Sequence, residues 1–220
     1  MLKGDIIMSE IKGFIFDLDG TLVDSMWVWS QIDIDFLSRI GQTVPPNLNE
    51  EITHLSFTQT AEYFKKRFDL KDSVEDIMNY WNEMAYDYYS SKVNLKNGAF
   101  EYLHSLKSKG YKIALATSNS TILLEAVLKN NKIYDLFDAI TITDEVKKSK
   151  ENPDIYLLSA KKLGLSADEC MVYEDILAAA KGAKLAGMKV TAIYDEHSLS
   201  QANSLKEICD FYINDYTELI

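Results

Sequence analysis

The 220-residue chain has few cysteines and no apolar run as long as a membrane-spanning helix. Its two cysteines, Cys170 and Cys209, are too few for a disulfide scaffold and do not have the spacing of metal ligands. A membrane span would need roughly 20 consecutive apolar residues. We therefore expect reduced thiols, no membrane partner and a cytoplasmic location. Residues 1–8 are expected to be an extension before the first strand, with its first few residues poorly ordered.

Basic residues are scarce relative to acidic ones. The chain has 23 Lys and Arg against 34 Asp and Glu, which gives a net charge of −11 at pH 7. This charge argues against nucleic acid and anionic membranes as partners, since neither is attracted to a negative surface. It still permits a small anionic substrate, because a bound cation can reverse the local sign. Histidines are rare as well, and His54, His104 and His197 are each expected to be structural or solvated.

Short apolar runs alternate with helical patterns along most of the chain. The runs that predict buried strands are 13–16, 112–116, 170–173 and 189–193, with a weaker one at 139–142. The helical patterns between and after them cover 99–109, 120–131, 153–163 and 176–186. This alternation predicts an α/β fold with a Rossmann-like, doubly wound parallel sheet.

The segment 26–91 interrupts the alternation. It has no convincing strand pattern, and its helical patterns lie near 26–40, 48–53, 58–68 and 73–90. We predict an inserted α-helical cap over 26–91 and an α/β core over 1–25 and 92–220. Four large side chains at helical spacing are expected to form the core of this bundle: Tyr80, Trp81, Met84 and Tyr88.

Polar residues follow the predicted strands at the points where the strands end. In a parallel sheet these carboxyl ends meet at one edge, where ligands bind. The residues that converge there are Asp17, Asp19, Gly20, Thr21, Thr117, Ser118, Asn119, Asp144, the lysines of 147–150, Glu174 and Asp175. Clustered carboxylates repel one another. A Mg²⁺ ion would relieve that repulsion, and the set as a whole suits phosphoryl transfer.

Four of these segments resemble the ordered motifs of the haloacid dehalogenase-like (HAD) hydrolases. The first is the nonapeptide 17–25, Asp-Leu-Asp-Gly-Thr-Leu-Val-Asp-Ser, and the others are 114–119, 149–156 and 173–175. The helical insertion resembles the small cap of the subfamily that includes phosphoglycolate phosphatase and β-phosphoglucomutase. The resemblance implies an Mg²⁺-dependent phosphoric monoester hydrolase that acts on a small phosphorylated metabolite. It leaves the choice between monomer and dimer open.

The resemblance also implies catalytic roles. Asp17 would be the nucleophile that forms an aspartyl-phosphate, and it would also ligate Mg²⁺. Asp19 would protonate the leaving group and then activate water, while its backbone carbonyl would ligate the metal. Thr117 would hydrogen-bond the phosphoryl group. Lys150, rather than Lys147 or Lys148, would neutralise the charge on Asp17 and the phosphoryl oxygens.

The remaining motif residues would complete the site. Gly20 would let the backbone turn beneath the substrate, and the Ser118 amide would lie near the phosphoryl group. Asp175 would complete the metal site. Glu174 would lie alongside it, either as a direct ligand or one layer further from the ion.

Several reactions are compatible with these motifs. Asp19 favours phosphate chemistry over dehalogenation, since a halide needs no proton. The first alternative is a β-phosphoglucomutase-like sugar phosphate mutase, whose cap carries basic residues. Here Trp29 and Phe57 occupy the places of two of them, and 76–91 has no Lys or Arg, so hydrolysis is favoured. The basic run 65–67 is expected on a solvated helix face. A non-catalytic phospho-aspartate switch is the alternative of a different class.

Overall fold

The computed structural model describes residues 11–52 and 55–220. Within them, six strands form one parallel sheet: β1 (Gly13–Phe16), β2 (Lys112–Thr117), β3 (Ala139–Ile142), β4 (Cys170–Glu174), β5 (Lys189–Ile193) and β6 (Phe211–Ile213). The strand order is β3-β2-β1-β4-β5-β6. The predicted α/β fold with a doubly wound parallel sheet is confirmed. The predictions for residues 1–8 and His54 lie outside the described residues.

The helices of the insertion lie between β1 and β2. They are α1 (Met26–Arg39), α2 (Leu48–Ile52), α3 (Phe57–Arg67) and α4 (Val74–Tyr89), followed by the core helix α5 (Ala99–Ser108). Ser73 caps α4 by accepting a hydrogen bond from the backbone N–H of Asp76 at 3.0 Å. The observed bounds lie within two residues of the predicted ones. The division into a cap over 26–91 and a separate core stays a prediction.

The later helices connect the remaining strands. They are α6 (Thr121–Asn130), α7 (Thr143–Val146), α8 (Asp154–Leu163), α9 (Leu177–Leu185) and α10 (Ala202–Ile208). Sequence patterns predicted α6, α8 and α9 but missed α7, α10 and strand β6. These three elements have at most seven residues each, which is too short for a periodic pattern to stand out.

Both faces of the sheet are covered, as a parallel sheet requires. Alternate residues of β1 point to opposite faces, so Phe14 and Phe16 belong to one hydrophobic cluster and Ile15 to the other. All three are fully buried. This two-sided burial explains why β1 is an uninterrupted apolar run in the sequence.

The central position of β1 sets the place of the site. Phe16 lies opposite Leu115 of β2 on one side and opposite Tyr173 of β4 on the other. The backbone N–H of Asp17 then donates to the carbonyl oxygen of Tyr173 at 3.0 Å. The three strands therefore end at the same level, and the residues that follow them meet at one edge.

The buried face of α4 differs in part from the expected bundle core. That face consists of Ile77, Trp81, Ala85 and Tyr89, which repeat every four residues. Trp81 is buried as predicted, and Met84 and Tyr88 pack partly buried against the core. Tyr80 is 49% exposed, so the prediction was wrong for this residue because it lies one position off the buried stripe.

Cys170 and Cys209 are both free, in agreement with the expected reduced thiols. Among the described residues, no helix combines the length and the apolar character needed to cross a membrane. The basic run 65–67 lies away from the cavity described below, and Arg67 pairs with Glu51 at 3.2 Å. His104 packs its ring against Phe100, with 4.4 Å between ring centroids.

Candidate active site

A buried ion pair lies at the carboxyl end of β1. Lys150 Nζ is 2.6 Å from Asp17 Oδ1 and 2.5 Å from Glu174 Oε1, and all three side chains are at least nine-tenths buried. Burial opposes the charged form of Lys150, but the two carboxylates outweigh that effect and raise the pKa of its ammonium group. Of the lysines in 147–150, the structure brings Lys150 to this position. Lys148 instead pairs with Asp154 at 2.8 Å.

Three carboxylates form a compact buried cluster next to this pair. Oxygen atoms of Asp17, Glu174 and Asp175 lie within 4.8 Å of one another. Burial raises the pKa of Glu174 to about 8, although Lys150 counteracts the shift. Burial and the neighbouring charges of Asp17 and Asp195 raise the pKa of Asp175 to about 8. The cluster therefore resists carrying three negative charges without a cation.

The two oxygens of Glu174 have different surroundings. Oε1 accepts hydrogen bonds from the Lys150 ammonium group and, at 2.8 Å, from the Tyr156 hydroxyl. Oε2 is buried and has no hydrogen-bond partner among the described residues. A buried carboxylate oxygen is rarely left in this state. The free oxygen and the all-oxygen donor set fit a hard divalent cation such as Mg²⁺.

The side chain of Asp19 is held apart from the three-carboxylate cluster. Ser25 donates to its Oδ1 at 2.6 Å, the Tyr89 hydroxyl donates to the same atom, and Asn119 Nδ2 donates to Oδ2 at 2.7 Å. Burial raises the pKa of Asp19, and these hydrogen bonds partly offset the shift. A raised pKa favours the protonated form that a general acid needs.

The turn after β1 depends on Gly20. Its φ of +79° is unfavourable for other residues, and a Cβ there would collide with the Asp175 carboxylate. Asp175 in turn accepts a hydrogen bond from the Thr21 hydroxyl at 3.1 Å. The turn thus brings the chain close to the carboxylate cluster.

The residues after β2 lie at the same edge. Thr117 is 1% exposed, and its hydroxyl oxygen accepts a hydrogen bond from the backbone N–H of Asn119 at 3.0 Å. Thr117 and Ser118 both line the cavity next to Asp17. The structure therefore brings together at one edge all the strand-end residues to which the sequence assigned catalytic, substrate-binding or metal roles.

A cavity of about 250 Å³ connects this edge to the helical insertion. The core contributes mainly polar residues: Asp17, Asp19, Thr117, Ser118, Asn119, Ser149, Lys150, Glu151, Glu174, Asp175, Ile176, Ala178, Ala179 and His197. The insertion contributes mainly apolar and small polar side chains: Met26, Trp29, Ser30, Ile32, Asp33, Asn49, Ile52, Leu55, Ser56, Phe57, Thr60 and Trp81. Trp29 and Phe57 make an edge-to-face contact in its wall, with 5.8 Å between ring centroids.

Sequence reasoning missed four residues around this cavity. Tyr89 and Tyr156 donate hydrogen bonds to Asp19 and Glu174, and no local motif signals either contact. Asp33 lines the cavity from α1. His197, expected to be structural or solvated, lies at the cavity, with its Nδ1 3.3 Å from Asp195 Oδ1.

Comparison with known proteins gives one consistent family. The family model of the haloacid dehalogenase-like hydrolases matches residues 14–193. YhcW of Bacillus subtilis is 30% identical over 184 residues, 83% of each chain. The phosphorylated carbohydrates phosphatase of Thermotoga maritima is 28% identical over 198 residues, 90% of this chain and 91% of that protein.

A solved structure shows the same fold. The crystal structure of CbbY from Rhodobacter sphaeroides in complex with phosphate has a TM-score of 0.85 and 21% identity, covering 95% of this chain and 96% of that one. The family match spans β1 to β5 and includes the whole carboxylate cluster. The family membership that four short motifs indicated is therefore confirmed: the chain belongs to the haloacid dehalogenase-like hydrolases.

Proposed function

We propose that the protein is an Mg²⁺-dependent phosphatase that hydrolyses a small phosphorylated metabolite through an aspartyl-phosphate on Asp17. The observation that carries this proposal is the contact of the buried Asp17 with Lys150 at the base of a cavity, where oxygen atoms of Glu174 and Asp175 lie within 4.8 Å. A phosphatase name among the relatives supports it. The cavity lies below the roughly 300–1,000 Å³ of drug-sized ligand sites, which favours a small substrate.

In the first step, a carboxylate oxygen of Asp17 attacks phosphorus and the bond to the ester oxygen breaks. Asp19 gives its proton to the leaving alkoxide, which departs as an alcohol. Lys150 and the hydroxyl of Thr117 bind the phosphoryl oxygens, where charge is carried in the transition state. The contact of Lys150 with Asp17 Oδ1 holds the nucleophile in place.

In the second step, Asp19 acts as a base. It takes a proton from water while the water oxygen attacks phosphorus, and the bond between phosphorus and Asp17 breaks to release phosphate. Asp19 begins and ends this cycle as a neutral acid, which suits a carboxyl group whose pKa is raised by burial. Its hydrogen bonds to Ser25, Tyr89 and Asn119 must be exchanged for contacts with the substrate.

Asp17, Asp175 and the backbone carbonyl of Asp19 would hold Mg²⁺, which neutralises charge between the nucleophile and the substrate when bound. Glu174 Oε2 would face the ion or its water. Glu174 Oε1 instead accepts hydrogen bonds from Lys150 and Tyr156, and the contact with Lys150 holds the lysine side chain in place.

The mutase alternative finds little support in the cavity. A mutase must hold a second phosphate at the far end, and that end presents Trp29, Phe57 and Asp33 rather than lysine or arginine. A phospho-aspartate switch would have no use for a cavity lined by the insertion above the carboxylate cluster. Hydrolysis is therefore the function that this site supports best.

The direct test is phosphate release from p-nitrophenyl phosphate with Mg²⁺. We expect turnover by the wild type, covalent phosphate on Asp17 when the reaction is quenched in acid, and homoserine at position 17 when the quenched protein is then reduced with borohydride. Conversion of a sugar 1-phosphate to its 6-phosphate without net phosphate release would establish the mutase instead. Turnover without a phosphorylated aspartate would reject the intermediate.

A further inference from the structure

A buried phenol from the last part of the chain lies behind the turn that follows β1. Tyr216 begins the C-terminal turn (Tyr216–Leu219) and is fully buried. Its hydroxyl donates a hydrogen bond to the backbone carbonyl oxygen of Thr21 at 3.3 Å, a residue 195 positions earlier in the chain. A buried tyrosine hydroxyl usually has a hydrogen-bond partner. Here that partner belongs to the same turn as Asp19 and Gly20.

Thr21 continues the connection to the carboxylate cluster. Its side chain is fully buried, and its hydroxyl donates to Asp175 Oδ1 at 3.1 Å. Tyr216 therefore holds the main chain of the residue whose side chain holds Asp175. The two hydrogen bonds form a continuous path from the C-terminal turn to one of the proposed metal ligands.

The turn after β1 is packed directly against Asp175, so this path has little slack. The Asp175 carboxylate occupies the space that a Cβ at Gly20 would need, and Gly20 is the residue before Thr21. Closely packed groups transmit small displacements to their neighbours. A shift of the Thr21 peptide would therefore move the Asp175 carboxylate as well.

The C-terminal turn is itself anchored to the core. The backbone N–H of Tyr216 donates to the carbonyl oxygen of Asn97 at 3.1 Å, and Asn97 Nδ2 donates to Asp215 Oδ2 at 3.0 Å. The two backbones also touch, since a Cβ at Gly98 would lie 2.7 Å from the backbone nitrogen of Thr217. These contacts fix the point from which the Tyr216 side chain extends.

The Tyr216 ring is held by other aromatic rings. It stacks on Tyr102, with 5.6 Å between ring centroids and 25° between the ring planes, and it also packs against Phe16 at the end of β1. Burial raises the pKa of Tyr216 well above its usual value, and the nearby charges, among them Asp17 and Asp175, add to the shift. The phenol therefore stays protonated and remains a hydrogen-bond donor.

We infer that Tyr216 is a positioning residue for the proposed Mg²⁺ site. Its hydroxyl holds the Thr21 peptide, and through it the Thr21 hydroxyl holds Asp175 in the place from which the carboxylate binds the ion. This inference rests on the proposed function, because it takes Asp175 as a metal ligand. Tyr216 lies outside residues 14–193 that the family model matches, so the role belongs to this chain's own C-terminal turn.

The test measures Mg²⁺ binding without turnover. The protein is freed of metal with EDTA, dialysed and titrated with Mg²⁺ in a calorimeter at one pH, as wild type, Tyr216→Phe and Thr21→Val. Tyr216→Phe removes the hydroxyl and keeps the ring. Tyr102→Phe is the matched control, because it removes another buried hydroxyl from the same stack of rings. That hydroxyl contacts the Tyr173 hydroxyl at 2.6 Å rather than the turn after β1.

Thr21→Val should raise the dissociation constant for Mg²⁺ by about 10–100-fold, as for loss of the direct partner of a metal ligand. Tyr216→Phe acts one hydrogen bond further away and should raise it by about three- to tenfold. Tyr102→Phe should keep the wild-type dissociation constant even where its thermal midpoint falls. An unchanged dissociation constant in Tyr216→Phe would overturn the inference. An equal increase in Tyr216→Phe and Tyr102→Phe would also overturn it, because general loosening of the ring stack would explain both.

The double variant tests the path through Thr21. If Tyr216 acts through the Thr21 hydroxyl, adding Tyr216→Phe to Thr21→Val should raise the dissociation constant little further, since coupled sites are not additive. Full additivity of the two effects would reject this path. If the double variant does not fold, the comparison of Tyr216→Phe with Tyr102→Phe decides the question.

Phosphate release separates this inference from the proposed function. In a working phosphatase, Tyr216→Phe should raise the Mg²⁺ concentration for half-maximal rate by the same factor as the dissociation constant. Mg²⁺ binding that depends on Tyr216 supports the inference even if the wild type hydrolyses no ester. Hydrolysis with Mg²⁺ binding that is indifferent to Tyr216→Phe rejects the inference and leaves the phosphatase in place. A wild type that binds no Mg²⁺ rejects the metal site and the inference together.

Discussion

The hydroxyl of Tyr89, at the end of helix α4, donates a hydrogen bond to Asp19 Oδ1, a residue 70 positions earlier in the chain. Tyr89 is fully buried and Asp19 is half-buried, and burial together with the charge of Asp19 raises the pKa of Tyr89 well above its usual value. The phenol therefore stays protonated and remains a donor. This contact ties the proposed general acid to the last turn of the helical insertion.

Tyr89→Phe should raise the pKa of Asp19, because it removes a hydrogen bond that favours the carboxylate. The alkaline limb of kcat/KM against pH should move to higher pH, since this limb reports loss of the general acid. Loss of the bond should also lower stability by about 1–3 kcal/mol. The pH profile and the thermal midpoint are the measurements.

Tyr88→Phe is the matched control for that experiment. Tyr88 is the preceding residue, and it contacts Trp27 and Lys92 rather than Asp19. Its variant should keep the wild-type pH profile. If both variants gave the same profile, the Tyr89 hydroxyl would have no influence on Asp19.

Asp17→Asn should lower kcat by at least about a thousandfold, because an amide is not a nucleophile toward phosphorus. The amide oxygen can still accept the Lys150 hydrogen bond, so the folded state should persist in circular dichroism. Asp144→Asn serves as the control, since Asp144 is exposed and does not line the cavity. Retention of activity by Asp17→Asn would assign the nucleophile elsewhere.

Metal binding should stabilise the protein in a pH-dependent way. Glu174 and Asp175 each have a pKa of about 8 in the folded protein, whereas the unfolded values are about 4. Their contribution to stability is complete below about pH 4 and is lost as the pH rises through about 8. Mg²⁺ binds the ionised forms, so it should restore the loss.

The measurement is the shift of the thermal midpoint on adding Mg²⁺ after chelation by EDTA. We expect a larger upward shift at about pH 8.5 than at about pH 5.5, because protons compete with the ion at the lower pH. EDTA should abolish hydrolysis and excess Mg²⁺ should restore it. Asp175→Asn should lose most of the midpoint shift. Full activity in excess EDTA would contradict the metal requirement.

Gly182→Ala should reduce both activity and stability although it places alanine in a helix. An alanine ordinarily gains up to about 1 kcal/mol over glycine in a helix interior. Here a Cβ at Gly182 would collide with the carbonyl oxygen of Lys150, so α9 and the segment 150–152 must move apart. We expect a loss of about 1–3 kcal/mol, as for overpacked sites, together with a lower kcat.

Urea unfolding and steady-state kinetics measure the two effects of Gly182→Ala. Lys181→Ala is the control, because this neighbouring side chain is exposed and its loss should leave both quantities close to wild type. A more stable Gly182→Ala protein with normal kcat would show that the loop adjusts without moving Lys150.

Much of this site could be predicted from the sequence because it lies in contiguous segments. The run that forms β1 is apolar throughout since both faces of the sheet are covered, and Asp17 follows directly where the strand ends. The same reasoning locates Thr117 and Asp175. Strand ends of a parallel sheet share one edge, so local patterns were enough to bring these residues together.

Other features depend on contacts between residues distant in sequence. Lys150 could be told from Lys147 and Lys148 by motif spacing, but its bond to Glu174 exists only once α8 and β4 are packed. Tyr80 and Trp81 are adjacent aromatic residues, and both were predicted to be buried. The helical geometry of α4 exposes Tyr80 and buries Trp81 in the cavity wall.

The sequence by itself determined the alternation of the longer strands and helices, the family and the residues at the strand ends, because each of these is encoded in a short continuous segment. Only the tertiary structure showed which residues outside those segments contact the site or line the cavity. Because the insertion packs against the core, Tyr89 contacts Asp19, and Asp33 and Trp81 line the cavity. The local sequence pattern of a helix does not show which of its side chains faces a distant strand end.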